Sequence, residues 1–188
     1  MSFYTVVSDV GRSIVQLLRD QMAPEPVAQP ELIGLASPND PGNYQVTLFL
    51  YQVKEHQEGR MTTMINRGVE SQQYPPMVLN LSYLLTVQLK SDHVTRAIDE
   101  QRILGRAMQV LYDHSIVDSQ SLQGSLSETD AEIRIMLEDV PLEKMQAFFP
   151  NASYKLSLSY TVGPIYVGST RLKPVKRVKE RTFVSEHK

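Results

Sequence analysis

The sequence has 188 residues, 41% of them apolar and 21% charged, with no cysteine and a formal net charge of −2. That balance excludes a disordered or collagen-like chain, and the missing thiols remove thiolate catalysis, Cys-ligated zinc and iron–sulfur clusters. There is no run of about 18 apolar residues, and Asp9 and Arg12 interrupt the N-terminal apolar stretch, so neither a membrane span nor a signal peptide is expected and the cytosol is the expected site of synthesis.

Phe3, Val6, Val7, Val10, Ile14, Leu17 and Leu18 recur at helical spacing, with Ser2 available as a cap and Pro24 and Pro26 as a stop, which predicts a helix from about Ser2 to Met22. The proline-rich stretch that follows, Pro24 to Gly42, is an extended connector holding one short strand at Leu32 to Leu35. Tyr44 to Glu55 is rich in β-branched and aromatic residues on both faces, as in a strand in the middle of a sheet. A long polar loop, His56 to Pro76, comes next.

From Met77 to Lys90 the apolar residues Leu79, Leu81, Tyr83, Leu85, Val87 and Leu89 alternate with Asn80, Ser82, Leu84, Thr86 and Gln88, which predicts a long strand with one core face and one largely polar face. Asp92 can cap a second helix with Val94, Ala97, Ile98, Gln101, Leu104, Met108 and Leu111 along its core stripe. Gly105 inside that helix costs about 1 kcal/mol against Ala and is expected to be offset by a close contact with the sheet. The segment from Asp118 to Asp130 reads as a loop, and Ile133, Ile135 and Leu137 as a strand. A short helix follows at Pro141 to Phe149, then a strand over Leu156 to Val162 that Gly163 and Pro164 are expected to end. The fold class is α+β: a single mixed, mostly antiparallel sheet packed with helices.

Chemistry is thin along this chain. His56, His93, His114 and His187 show no metal-ligand spacing, no nucleophile elbow or phosphate-binding glycine loop occurs, and no dinucleotide fingerprint is present. Glu138 and Asp139 are candidate paired carboxylates, although a strand end followed by the cap of the next helix explains them better. No catalytic residue, cofactor or metal site is assigned, and no enzymatic activity is expected.

Charge is unevenly spread. Residues 171–188 hold seven Lys or Arg against two Glu, which leaves −7 on residues 1–170. This divides the chain into a domain over 1–169 and a basic arm over 170–188, and an arm of that kind docks on an acidic surface, such as that of a neighbouring copy. The candidate assembly residues are Arg60 and Arg67 in the long loop and Arg171, Lys173, Lys176, Arg177, Lys179 and Arg181 in the arm. A nucleic-acid or effector-binding adaptor using the arm is the alternative, weakened by a sequence pI near 6.1 and the lack of a reader motif.

Taken together, LFLYQVKEH from Leu48, YPPMVLNLSYLLTV from Tyr74, EQRILGRAMQVL from Glu100, LEDVPLEKMQAFF from Leu137 and YKLSLSYTV from Tyr154 resemble the cap, or tail-terminator, proteins of contractile injection systems. The resemblance covers about residues 3–165, and some relatives carry a further C-terminal module. It implies a ring, expected to be a homo-hexamer, that sits on the last tube and sheath layers of a phage-tail-like particle and stops their polymerisation. A heterologous contact that closes by rotation makes such a ring. The arm, with Val175, Val178, Phe183 and Val184 among its charges, could join a partner sheet by strand addition, and the long loop is a second contact. Assembly is then expected in the cytoplasm, on a particle that bacteria release.

Overall fold

A computed structural model describes residues 4–56, 62–68, 70–90, 94–117, 122, 124, 132–150 and 152–175. Helix α1 spans Val6–Met22, then a short 3-10 turn at Pro30–Leu32 leads into β1 (Ile33–Leu35) and β2 (Val46–Glu55). β3 (Ile65–Asn66) and β4 (Ser71–Gln73) precede the long β5 (Met77–Val87). After α2 (Arg96–Asp113) come β6 (Ile116–Val117), β7 (Ile133–Glu138), α3 (Leu142–Gln146), β8 (Ser157–Val167) and β9 (Leu172–Pro174). The main sheet has the order β1-β2-β5-β8-β7-β6, and β3-β4-β9 form a second, three-stranded sheet. Only the β1–β2 pairing is parallel among the described strands, so the mixed, mostly antiparallel α+β class holds.

The core follows from the alternation in β5. Leu79, Leu81, Tyr83, Leu85 and Val87 join Val6, Val10, Ile14 and Leu18 of α1 and Ile103, Leu104, Ala107, Val110 and Leu111 of α2 in one apolar cluster. Arg19 donates from Nε to the Ile33 carbonyl at 2.8 Å, which ties α1 to the edge of the sheet. Arg106 on α2 donates to the carbonyl of Gln21, one of the free carbonyls at the end of α1, at 3.3 Å from Nε and 3.0 Å from its terminal nitrogen.

Several expectations change on folding. The second face of β5 is buried: Leu84 packs under Met145 of α3 and Phe149, flanked by Phe49 and Tyr51 of β2, so α3 covers the side opposite α1 and α2. Ser82 and Thr86 are buried as well, Thr86 pairing with the Ser157 hydroxyl at 2.9 Å. Polar residues on a strand thus mark a buried face when neighbouring hydroxyls satisfy them. The buried stripe of α2 is turned by about one residue from that expected, leaving Ile98 and Met108 exposed. An added Cβ at Gly105 would meet nothing within 4 Å, so no close contact offsets that glycine.

The largest difference lies in β8, which passes through Gly163 and Pro164 and continues to Val167. Leu79 pairs with Ile165 and Leu81 with Val162, so two residues of β8 oppose the single Asn80 in a bulge. A bulge is where a strand tolerates a proline that cannot donate to the ladder. Gly163 is needed there because a Cβ would run into the Asn80 side chain and lie 3.1 Å from the Leu79 carbonyl. A second bulge, between Leu50 and Gln52, leaves Tyr51 without a cross-strand partner.

Two glycines therefore predict opposite outcomes. Gly163→Ala forces the bulge open and should lower stability by about 1–3 kcal/mol, whereas Gly105→Ala should raise it by about 1 kcal/mol, both read from urea or thermal unfolding. Tyr83 and Tyr160 face each other across β5 and β8. Burial pushes the Tyr160 phenol from 10.0 up to about 12 and that of Tyr83 higher still. Because unfolded phenols ionise first, the unfolded chain binds fewer protons above pH 10, so stability is intact below about pH 10 and falls as pH rises from there. A phenolate absorbance titration should show a fraction that ionises only together with unfolding.

Candidate assembly interface

The long loop and the start of the basic arm, 95 or more residues apart in sequence, meet in one small sheet. β3 and β4 form a hairpin, Ile65 opposite Gln73 and Asn66 opposite Gln72, with Gly68 at φ +75 in its turn. That positive φ is the left-handed region that glycine occupies without a Cβ penalty. The Arg67 amide donates to the Ser71 carbonyl at 2.9 Å, the Ser71 hydroxyl donates back to the Arg67 carbonyl at 2.6 Å, and Gln72 Nε2 donates to Asn66 Oδ1 at 3.0 Å. Local polar pairs of this kind hold a two-stranded hairpin that has little apolar area of its own.

β9 completes the sheet antiparallel to β4, with Ser71 opposite Pro174, Gln72 opposite Lys173 and Gln73 opposite Leu172. The Tyr74 amide donates to the Arg171 carbonyl at 3.1 Å, and the Val175 amide to the Glu70 carbonyl at 2.9 Å. Gln73 Nε2 also donates to the Ser169 carbonyl. These bonds fix the alternation. Residues 171, 173 and 175 point their backbone groups at β4, so Leu172 and Pro174 turn theirs outward. Pro174 has no amide hydrogen, and the free edge of β9 therefore offers a broken ladder to any further strand.

Three of the eight candidate residues come together here. Arg67 is exposed and donates from Nε to Gln73 Oε1 at 2.6 Å. The Arg171 guanidinium lies over the Tyr74 ring, 4.3 Å from its centroid, a cation–π contact. Lys173 is exposed on β9, with no ion-pair partner among the described residues. Arg60, Lys176, Arg177, Lys179 and Arg181 lie outside the described residues. The expectation that the arm pairs with a partner's sheet is thus altered at its base, where Leu172–Pro174 is already the third strand of this chain's own sheet. The sequence hid this pairing because β3, β4 and β9 are two or three residues long and mostly polar, too short for any periodicity to register.

At the other end of the main sheet, Glu138 closes β7, the strand end expected there. Its Oε2 accepts from the hydroxyls of Tyr51 at 3.3 Å, Ser159 at 3.2 Å and Thr161 at 3.0 Å. The bulge at Tyr51 is what delivers its hydroxyl, which also lies 2.8 Å from Ser159 Oγ. Hydroxyl donors of this kind satisfy a carboxylate and hold it in place. Of the histidines, His56 Nδ1 meets Asn80 Nδ2 at 3.1 Å and His114 Nδ1 meets the Val110 carbonyl at 2.9 Å, while His93 and His187 lie outside the described residues. Among the described residues no three metal-ligating side chains cluster and no helix is long and apolar enough to cross a membrane.

Comparison with known proteins agrees with this architecture. The sequence profile of the Pvc16 N-terminal domain matches residues 9–181. No curated protein matches the chain. Among solved structures, the fold is similar to the sheath/tube terminator of an extracellular contractile injection system, PVC, in its extended state: 18% identity, TM-score 0.66, covering 100% of this chain and 65% of that one. It is also similar to the tube-terminating cap of the anti-feeding prophage, at 19% identity and TM-score 0.63, covering 95% of this chain and 61% of that one. This chain spans less than two thirds of either relative, and at these identities the likeness is one of fold. The resemblance to cap proteins drawn from the sequence holds at the level of family and fold.

The pairing of β9 carries a direct consequence. A chain ending at Ser169 should keep the cooperative unfolding of the main sheet but lose the strand that braces the hairpin, so trypsin should cut after Arg67 several-fold faster than in the full chain. An unchanged cleavage rate would show that β9 does not hold the hairpin.

Proposed function

The chain belongs to the Pvc16 N-terminal domain family, and from that premise we propose that it is a structural terminator, capping the tube and sheath of a contractile injection particle. The observation that carries this reading is the family match over residues 9–181 together with a fold shared along the whole chain with a sheath/tube terminator. The active form is a closed homo-oligomeric ring, sixfold as the resemblance to cap proteins implies, that seats on the last layer of tube and sheath and offers the next subunit no matching face. Heterologous contacts that close by rotation produce such a ring and end growth along the axis.

The chemistry of the site supports a role in assembly. The small sheet gathers Arg67, Arg171 and Lys173 at one end of a body whose first 170 residues sum to −7, an arrangement suited to joining one copy to another. The domain over 1–169 forms the rigid body and residues 170–188 the contact arm, with its first strand already seated on the hairpin. Partners are other copies of this chain and the tube and sheath proteins of the same particle. Function without catalysis fits relatives that are themselves terminators. Neither the family match nor the fold likeness supports the nucleic-acid adaptor.

Co-expression with the tube and sheath proteins of its particle, followed by negative-stain imaging, tests the proposal. Particles of uniform length, each with a ring at one end, are expected with the full chain, and particles of irregular length without it. A chain that stays monomeric at high concentration and leaves particle length unchanged when deleted would overturn the reading.

A further inference from the structure

The outer edge of β7 is covered along half of its length. β6 pairs only with Ile133 and Arg134, and the Ser115 carbonyl accepts from the Ile135 amide at 2.8 Å. Since Ile135 turns its amide away from β8, Leu137 does the same by the period of two, and no described strand lies beside it. The side chains around this open edge are apolar and exposed: Met136 by 53%, Leu137 by 55% and Leu142 on α3 by 55%. Leu137, Glu138, Leu142, Tyr154 and Ser159 line a groove of about 470 Å³ at this edge. Glu138 and Asp139 line it and Glu143 follows Leu142 on α3, and although Lys144 and Lys155 flank the same segments, none of the three carboxylates has a basic group within ion-pair distance among the described residues.

We infer that this edge and groove receive residues 176–188 of a second copy of this chain, entering as an added strand beside Met136–Glu138. The inference rests on the ring reading above and names its contact. Three properties of that segment match the groove. It carries Lys176, Arg177, Lys179, Arg181 and Lys188 against Glu180 and Glu186, a charge opposite to that of the three carboxylates. Thr182, Phe183 and Val184 are a run of strand-forming residues as long as the open stretch of β7. The alternation of a strand then lets Phe183 or Val184 lie on the apolar rim while its backbone bonds to Leu137, the mode in which main-chain pairing supplies affinity and side-chain pockets supply specificity.

The two sites sit at opposite ends of the molecule, which makes the contact heterologous. The groove lies where β8 begins, at Ser157 and Ser159, and the small sheet where β8 has ended at Val167, roughly 33 Å further for a strand of that length. The segment leaves the small sheet at Val175, beside Glu70 near the hairpin turn. Basic end meeting acidic end, copy after copy, is a head-to-tail contact, and such a contact closes into a ring when the rotation from one copy to the next completes a full turn.

The cysteine-free chain makes the test direct. Full-length Leu137→Cys and Phe183→Cys proteins, mixed and oxidised, should form a disulfide-linked dimer several-fold more than the pair Ile98→Cys and Phe183→Cys, which places the thiol on the outer face of α2. Asp139→Lys with Glu143→Lys should lower that yield to the control level, and adding Lys179→Glu with Arg181→Glu to the partner should restore it. Sedimentation of the unmodified protein is run beside it. A ring with cross-linking no greater than the control would overturn this contact and leave the ring reading standing. A chain carrying both Leu137→Cys and Phe183→Cys that closes on itself as a monomer would overturn the second-copy assignment. A protein that never associates would remove both.

Discussion

The far end of this molecule depends on one strand continuing where its sequence suggests a stop. β8 meets Gly163 and Pro164, and a proline in the centre of a sheet removes a ladder bond. Placing the pair opposite the single Asn80 turns the interruption into a bulge, with glycine leaving room for the Asn80 side chain. The strand then runs on to Val167, and the chain arrives beside the hairpin of β3 and β4. Had β8 ended at Val162, the chain would not have carried β9 to β4, and a hairpin of two and three residues would have had to stand alone. Isolated two-stranded hairpins of that size are marginal in water.

The same bulge logic operates on the other side of β5. The extra residue Tyr51 in β2 is freed from pairing and reaches across to Ser159 and Glu138. Along β5 the two bulges lie close together, one at Asn80 on the β8 side and the other between Ser82 and Tyr83 on the β2 side. Around these irregularities β5 remains the middle of the main sheet, between β2 and β8. Burial on both faces makes that middle stiff: α1 and α2 cover one side, while α3, Phe148 and Phe149 cover the other.

Exposed ion pairs contribute little. The described pairs, Arg96 with Glu100 at 3.0 Å, Arg102 with Asp99 at 3.9 Å and Arg134 with Glu132 at 3.9 Å, lie within one helix or one short segment. Pairs of that kind are worth about 0–1 kcal/mol each. Among the described residues, neither the basic groups of β9 nor the carboxylates around α3 take part in these pairs. Electrostatics of this sort sets orientation and partner choice more than affinity, which falls to backbone pairing and apolar side chains.

The sequence by itself determined the long elements and the family. Helical spacing located α1, period-two alternation located β5, and the absence of thiols and of phosphate or nucleophile motifs directed attention to assembly. Each of these signals is repeated over ten or more residues, so a local misreading of one position leaves the pattern intact. Tertiary structure decided what depends on neighbours. The face of β5 bearing Ser82, Leu84 and Thr86 reads as polar in isolation and is buried because Ser157, Met145 and Phe149 arrive to cover it. Gly163 and Pro164 read as a stop and become a bulge only because Asn80 lies opposite. The small sheet joins residues 65–73 to 172–174, strands too short to show a period, and it exists because β8 delivers one segment to the other, a property of register that no local pattern encodes.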